Sequence, residues 1–84
     1  MKMYHGTNYT AWEAIQKEGF LWGRKDVYWC GNLMDRVNYL ATKQEYATKS
    51  DVLLEVDFPT VLKCDNWEYI TYKPIPLLLI RRIT

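Results

Sequence analysis

Few side chains in this sequence could do chemistry, and three stand out by their neighbours. His5, the only histidine, lies in Tyr4-His5-Gly6-Thr7, followed by a residue whose backbone a ligand can approach and by a hydroxyl. Tyr39 lies mid-chain in Val37-Asn38-Tyr39-Leu40-Ala41, and Glu68 near the end in Trp67-Glu68-Tyr69-Ile70-Thr71-Tyr72. An imidazole, a phenol and a carboxylate can hydrogen-bond, stack and move protons. They do not predict a metal centre: Cys30 and Cys64 are far apart, without C-x-x-C spacing and with one histidine to help them. Both cysteines read as buried thiols of a reducing compartment. Each candidate also has an ordinary reading, His5 as a solvent-facing strand end, Tyr39 as a helix tyrosine, and Glu68 as a charge that blunts a sheet edge.

The elements that would position these residues follow from spacing. Lys2 to His5 reads as a first strand running into Gly6-Thr7-Asn8, and Thr10-Ala11-Trp12-Glu13 has capping-box spacing for a helix. That helix turns Ala11, Ala14 and Ile15 inward and stops at Gly19, with Phe20 as the closing apolar contact. Asp26 to Cys30 reads as a strand and Gly31-Asn32 as a turn. A second helix is expected from about Asn32 to Ala47, with Leu33, Val37, Leu40 and Ala41 on one stripe and Tyr39 well off it. Val52, Leu54, Val56 and Phe58 alternate with more polar positions, as in a strand with one buried face ended by Pro59. Val61 to Cys64, Trp67 to Tyr72 and Leu77 to Ile83 read as further strands, the last two separated by Pro74-Ile75-Pro76. Two N-terminal helices and a run of later strands predict an α+β fold with a largely antiparallel, split sheet, in one domain spanning 1–84.

Composition excludes several classes. A chain of 84 residues, 49% hydrophobic and 25% charged, is neither disordered nor fibrous. So short a chain buries roughly 60% of its unfolded surface, so each aromatic counts; Trp12, Trp22 and Trp67 read as core or rim packing. A net charge of +1 gives no global attraction to nucleic acid, which is unsupported as a partner. The longest apolar run, Ile75 to Ile80, is far short of the ~20 residues that cross a bilayer, and no charged leader precedes an apolar stretch. No membrane role and a cytoplasmic location are expected.

In order and flanking pattern, the three segments resemble the His, Tyr, Glu signature of the ADP-ribosyltransferase superfamily, of the poly(ADP-ribose) polymerase type. His5-Gly6-Thr7 through Ile15 and Gly19-Phe20 is similar to its His-Gly-Thr strand and following helix, Val27-Tyr28-Trp29 to its Tyr-Phe strand, and Asn66 to Tyr72 to the strand opened by its Glu. The resemblance implies a small ADP-ribosyltransferase-like split sheet and an NAD-dependent enzyme that transfers ADP-ribose to an unidentified protein acceptor, such as a host protein, releasing nicotinamide. His5 would bind a ribose hydroxyl of NAD, and the Gly6 backbone, beside Thr7, the nicotinamide carboxamide. Tyr39 would stack on the cationic nicotinamide ring, with Tyr28 and Trp29 walling the pocket. Glu68 would stabilise the oxocarbenium-like ribose and orient or deprotonate the acceptor, with no metal required. Asn66 stands where toxin-type relatives hold the Glu or Gln that selects the acceptor, so acceptor identity is open.

Two other readings compete. RNA 2′-phosphotransferases carry a similar His-Gly-Thr, a Trp-x-x-Ile helix like Trp12-Glu13-Ala14-Ile15, and an arginine like Arg24. They need several arginines for phosphate, and here only Arg24 and Arg36 lie mid-chain. The third is a non-catalytic phage or bacterial effector that binds a nucleotide or a host protein on the same fold.

Overall fold

The described residues form an α+β fold, mostly antiparallel sheet with one α-helix. The computed structural model describes residues 1–23, 28–29, 32–33, 37–47 and 50–84, with 28–29 and 32–33 as backbone. In chain order the elements are β1 (Met3–Thr7), α1 (Tyr9–Glu18), β2 (Phe20–Leu21), β3 (Tyr28–Trp29), β4 (Asn32–Leu33), β5 (Asn38–Ala41), β6 (Val52–Val56), β7 (Leu62–Lys63), β8 (Glu68–Thr71), β9 (Ile75–Pro76) and β10 (Ile80–Arg82). Single 3-10 turns lie at Gln44–Tyr46 and Leu77–Leu79.

Asn8, rather than the expected Thr10, caps α1. Its extended backbone ends β1, and its side chain accepts from the Ala11 N–H at 2.8 Å, satisfying one of the donors a helix start leaves open. The C-terminus is as the sequence predicts. Gly19 takes the left-handed conformation at φ 85°, its N–H donates to the Ile15 carbonyl at 2.8 Å, and its own carbonyl accepts from Leu77 at 2.9 Å. Ile15 is the helix residue that reaches the core, while Ala11 is half-buried and Ala14 exposed. Phe20, expected as a closing contact, instead begins β2, which pairs with β9 through Phe20–Pro76 and Leu21–Ile75.

Six strands form the main sheet in the order β10-β6-β1-β5-β8-β7, and every pairing observed is antiparallel. β6 keeps the expected alternation: Val52, Leu54 and Val56 are fully buried and meet Met3, Leu40, Ile15, Leu21 and Ile75 in one core. On the opposite face Glu55 gathers Lys2 at 3.3 Å and Arg81 at 3.4 Å, with the Tyr4 hydroxyl at 3.4 Å.

The second helix expected from Asn32 to Ala47 is not formed. β4 instead pairs with β3, Tyr28 opposite Leu33 and Trp29 opposite Asn32, and residues 38–41 form β5. β5 lies inside the sheet between β1 and β8, and Val37, Asn38, Leu40 and Ala41 are all buried. A strand covered on both faces shows a near-continuous buried run, which periodicity cannot tell from a helix stripe. The thiol expectation also fails at Cys64, which is half-buried and disulfide-bonded. Cys30, the other cysteine of the chain, lies outside the described residues. No helix among the described residues is long and apolar enough to cross a membrane.

Candidate functional site

β1 is fully paired with β6, from Met3–Val56 to Thr7–Val52, but it meets β5 through Tyr4–Ala41 and, among the described residues, through no other pair. Beyond that bridge the two strands part. A cleft of about 1140 Å³ opens there, and His5, Gly6, Thr7, Tyr39 and Glu68 all line it. These five residues, singled out in the sequence as one site, come from β1, β5 and β8. Tyr28 and Trp29, expected as pocket walls, form β3; their side chains lie outside the described residues.

Register fixes how the groups face one another. Tyr4 is opposite Ala41 and Ala41 opposite Glu68, so Tyr4, Ala41, Glu68 and Tyr39, two residues along β5, share a face, while His5, next to Tyr4 and opposite buried Leu54, starts from the other face of β1. Tyr39 and Glu68 are diagonal neighbours, with Cα atoms roughly 7–8 Å apart in such a pair. His5 reaches across the break in the sheet, with Nδ1 3.2 Å from the Tyr39 carbonyl oxygen. A carbonyl only accepts, so Nδ1 carries the proton and Nε2 of the neutral ring is left as an acceptor. Burial lowers the His5 pKa, against a smaller opposing effect of that backbone hydrogen bond, so the ring is neutral at pH 7.

Glu68 opens β8 with its backbone held at a turn. Its carbonyl accepts from Cys64 at 3.0 Å and from Asp65 at 3.2 Å. Its carboxyl is pushed above the ordinary glutamate range, first by desolvation and then by the negative charge of Asp65. A half-buried carboxyl whose protonated form is favoured is suited to exchanging a proton with a bound group. Among the described residues, the charged groups lining the cleft are Glu18, Asp51 and Glu68, with no Lys or Arg, and no cluster could hold a metal ion.

The sequence did not reveal the cleft's aromatic rims. At one end the rings of Phe20 and Trp22 lie 6.0 Å apart, tilted by 54°. At the other, Tyr46 and Trp67 lie 6.1 Å apart, edge to face at 64°. All four line the cleft and stay exposed, Trp22 at 44% and Trp67 at 41%, so the packing role read for these two tryptophans is that of a rim rather than a core. Only Trp12, of the three, packs partly buried against the core. The available signal was the 15% aromatic content, without the pairing that gives it a place. No family model, curated protein or solved structure matches the chain.

Proposed function

We propose that this protein binds NAD in the cleft and transfers ADP-ribose to an acceptor with release of nicotinamide, on an ADP-ribosyltransferase-like split sheet. The observation that carries the reading is the convergence of His5, Gly6, Thr7, Tyr39 and Glu68 on one cleft at the break between β1 and β5. The resemblance in sequence supplies the roles, and the geometry supports each with a physical reason. His5 Nε2 accepts from a ribose hydroxyl because the Tyr39 carbonyl holds the proton on Nδ1. Gly6 offers backbone without a side chain at the cleft wall, where the carboxamide binds.

The Tyr39 ring lies against the nicotinamide, cationic before cleavage, an attraction of about 1–2 kcal/mol when water is excluded. Glu68, diagonal to it, faces the ribose. As the nicotinamide–ribose bond breaks, its carboxylate stabilises the developing positive charge and then accepts the proton of the incoming acceptor. For the pyrophosphate the described lining offers Thr7 and Asn8 at the start of α1. Arg24 and Arg36, on which a phosphotransferase reading would depend, lie outside the described residues. The acceptor is a protein.

Nicotinamide release from NAD by the purified protein, beside Glu68→Gln, tests the reading. Release that falls by 10²-fold or more in the variant supports it. NAD binding without release in either protein replaces it with a nucleotide-binding protein on the same scaffold, and no binding at all removes it.

A further inference from the structure

The turn that leads into Glu68 is held covalently. Residues 64–67 join β7 to β8, and the N–H groups of Cys64, at 3.0 Å, and Asp65, at 3.2 Å, converge on the Glu68 carbonyl oxygen. Those bonds fix the backbone at Glu68, and with it the direction in which the carboxyl leaves β8. Asp65 is also the negative charge that acts on that carboxyl. The aim of Glu68 therefore depends on where residues 64 and 65 sit. Hydrogen bonding holds them weakly: β7 is two residues long, both exposed, at the edge of the sheet, and its pairs are Leu62–Ile70 and Lys63–Tyr69. The strong constraint is the disulfide at Cys64, which is half-buried and flanked by exposed Lys63 and Asp65, on the outside of the molecule where a thiol can begin exchange.

We propose that the Cys64 disulfide is a thiol–disulfide exchange site that switches the cleft: oxidised, it sets the 64–68 turn, and reduced by a dithiol, it releases the turn so that Glu68 loses its aim while NAD still binds. The effect on turnover rests on the transfer reaction proposed above; the effect on the turn does not. In the exchange a thiolate of the reductant attacks one sulfur of the disulfide, and the other sulfur leaves as a thiolate and takes up a proton. The second thiolate of the reductant then attacks the mixed disulfide and expels the remaining cysteine sulfur, which is protonated in turn. Two electrons and two protons pass to the protein, and the dithiol ends as a disulfide. NAD binding survives because His5, Gly6 and Tyr39 come from β1 and β5, strands that β7 does not pair with. A disulfide that merely restricts the unfolded chain would change melting and leave turnover of the folded protein alone.

The full chain is compared untreated, reduced with dithiothreitol, and reduced then reoxidised with diamide, beside Cys64→Ser. The readouts are nicotinamide release, NAD affinity by titration calorimetry, and hydrogen exchange without NAD. The expected result is a kcat that falls about tenfold or more on reduction and in Cys64→Ser, with NAD affinity held within about threefold and kcat recovered on reoxidation of the parent only. In exchange, the amides of Cys64 and Asp65 should lose protection while the β1–β6 ladder keeps it. A smaller fall in kcat, an equal fall in NAD affinity, or loss of β1–β6 protection together with the turn overturns the switch, the last because it marks global unfolding. Unchanged exchange at 64 and 65 overturns it as well. If the untreated protein releases no nicotinamide, the transfer reading falls, and the switch then stands or falls on the exchange at 64 and 65.

Discussion

Two titratable side chains of the cleft, His5 and Glu68, are displaced from their ordinary behaviour in ways that stability measurements can read. Glu68 has a raised pKa, so the native state favours its protonated form. The stability this gives is present below the ordinary glutamate range and is lost as pH rises through the raised value. Glu68→Gln is therefore expected to melt above the parent at pH 7 and level with it in acid, while nicotinamide release is lost; a variant less stable at pH 7 would contradict the burial described for this carboxyl. The His5 pKa is displaced in the other direction, toward the neutral ring. Its lowered pKa means that the unfolded chain takes up a proton before the native one does, so stability is present above the ordinary histidine value and falls as pH drops through it toward the native value. His5→Ala is expected to flatten that part of the pH–stability profile and to weaken NAD binding about tenfold, the scale of one net hydrogen bond. Titration calorimetry on both proteins checks the second effect.

The elements show why some of the site was legible in the sequence and some was not. Local chemistry read correctly: Gly19 ends α1 because it alone needs a left-handed backbone there, β6 alternates because one of its faces is core, and His5-Gly6-Thr7 and Glu68 lie on strands that bear on one cleft. The misreading of 32–47 came from non-local facts. Nothing in Val37 to Ala41 says that a neighbouring strand covers each edge and a layer each face, and those neighbours, β1 and β8, come from opposite ends of the chain. The off-stripe position of Tyr39 belongs to a helix that does not form, and Tyr39 lines the cleft from β5 instead. Gly23 marks how tightly this element is seated: a Cβ there would lie 2.5 Å from the Val37 nitrogen and 2.6 Å from its carbonyl carbon. Backbone cannot give way as a side-chain tip can, so Gly23→Ala should cost about 1–3 kcal/mol and shift the start of β5. Denaturant melts would show the loss, and NAD affinity should fall with it, because Tyr39 follows two residues after Val37.

At the scale of the whole molecule, little apolar mass holds the fold, and covalent and mechanical constraints weigh accordingly. Cys64, disulfide-bonded, also donates its N–H to the carbonyl of Glu68. Reductant should lower the unfolding free energy by about 2–4 kcal/mol, and thiol labelling of the untreated native protein should find no reactive Cys64. Labelled Cys64 would restore the thiol reading of the sequence. The bridge between Tyr4 and Ala41 has a mechanical meaning of its own. On one side β1, β6 and β10 are laced by continuous ladders, and on the other β5, β8 and β7 are; the seam between them is pinned at one end and open at the other. A sheet joined in this way is a jaw, with the two half-sheets as its arms and the 4–41 pair as its pivot. Hydrogen exchange should therefore resolve two separately protected blocks, with those amides of residues 5–7 and 38–40 that point across the open seam, rather than into the β1–β6 or β5–β8 ladder, exchanging ahead of both. A bound dinucleotide that touches His5 on one arm and Glu68 on the other would close the gap and merge the blocks into one.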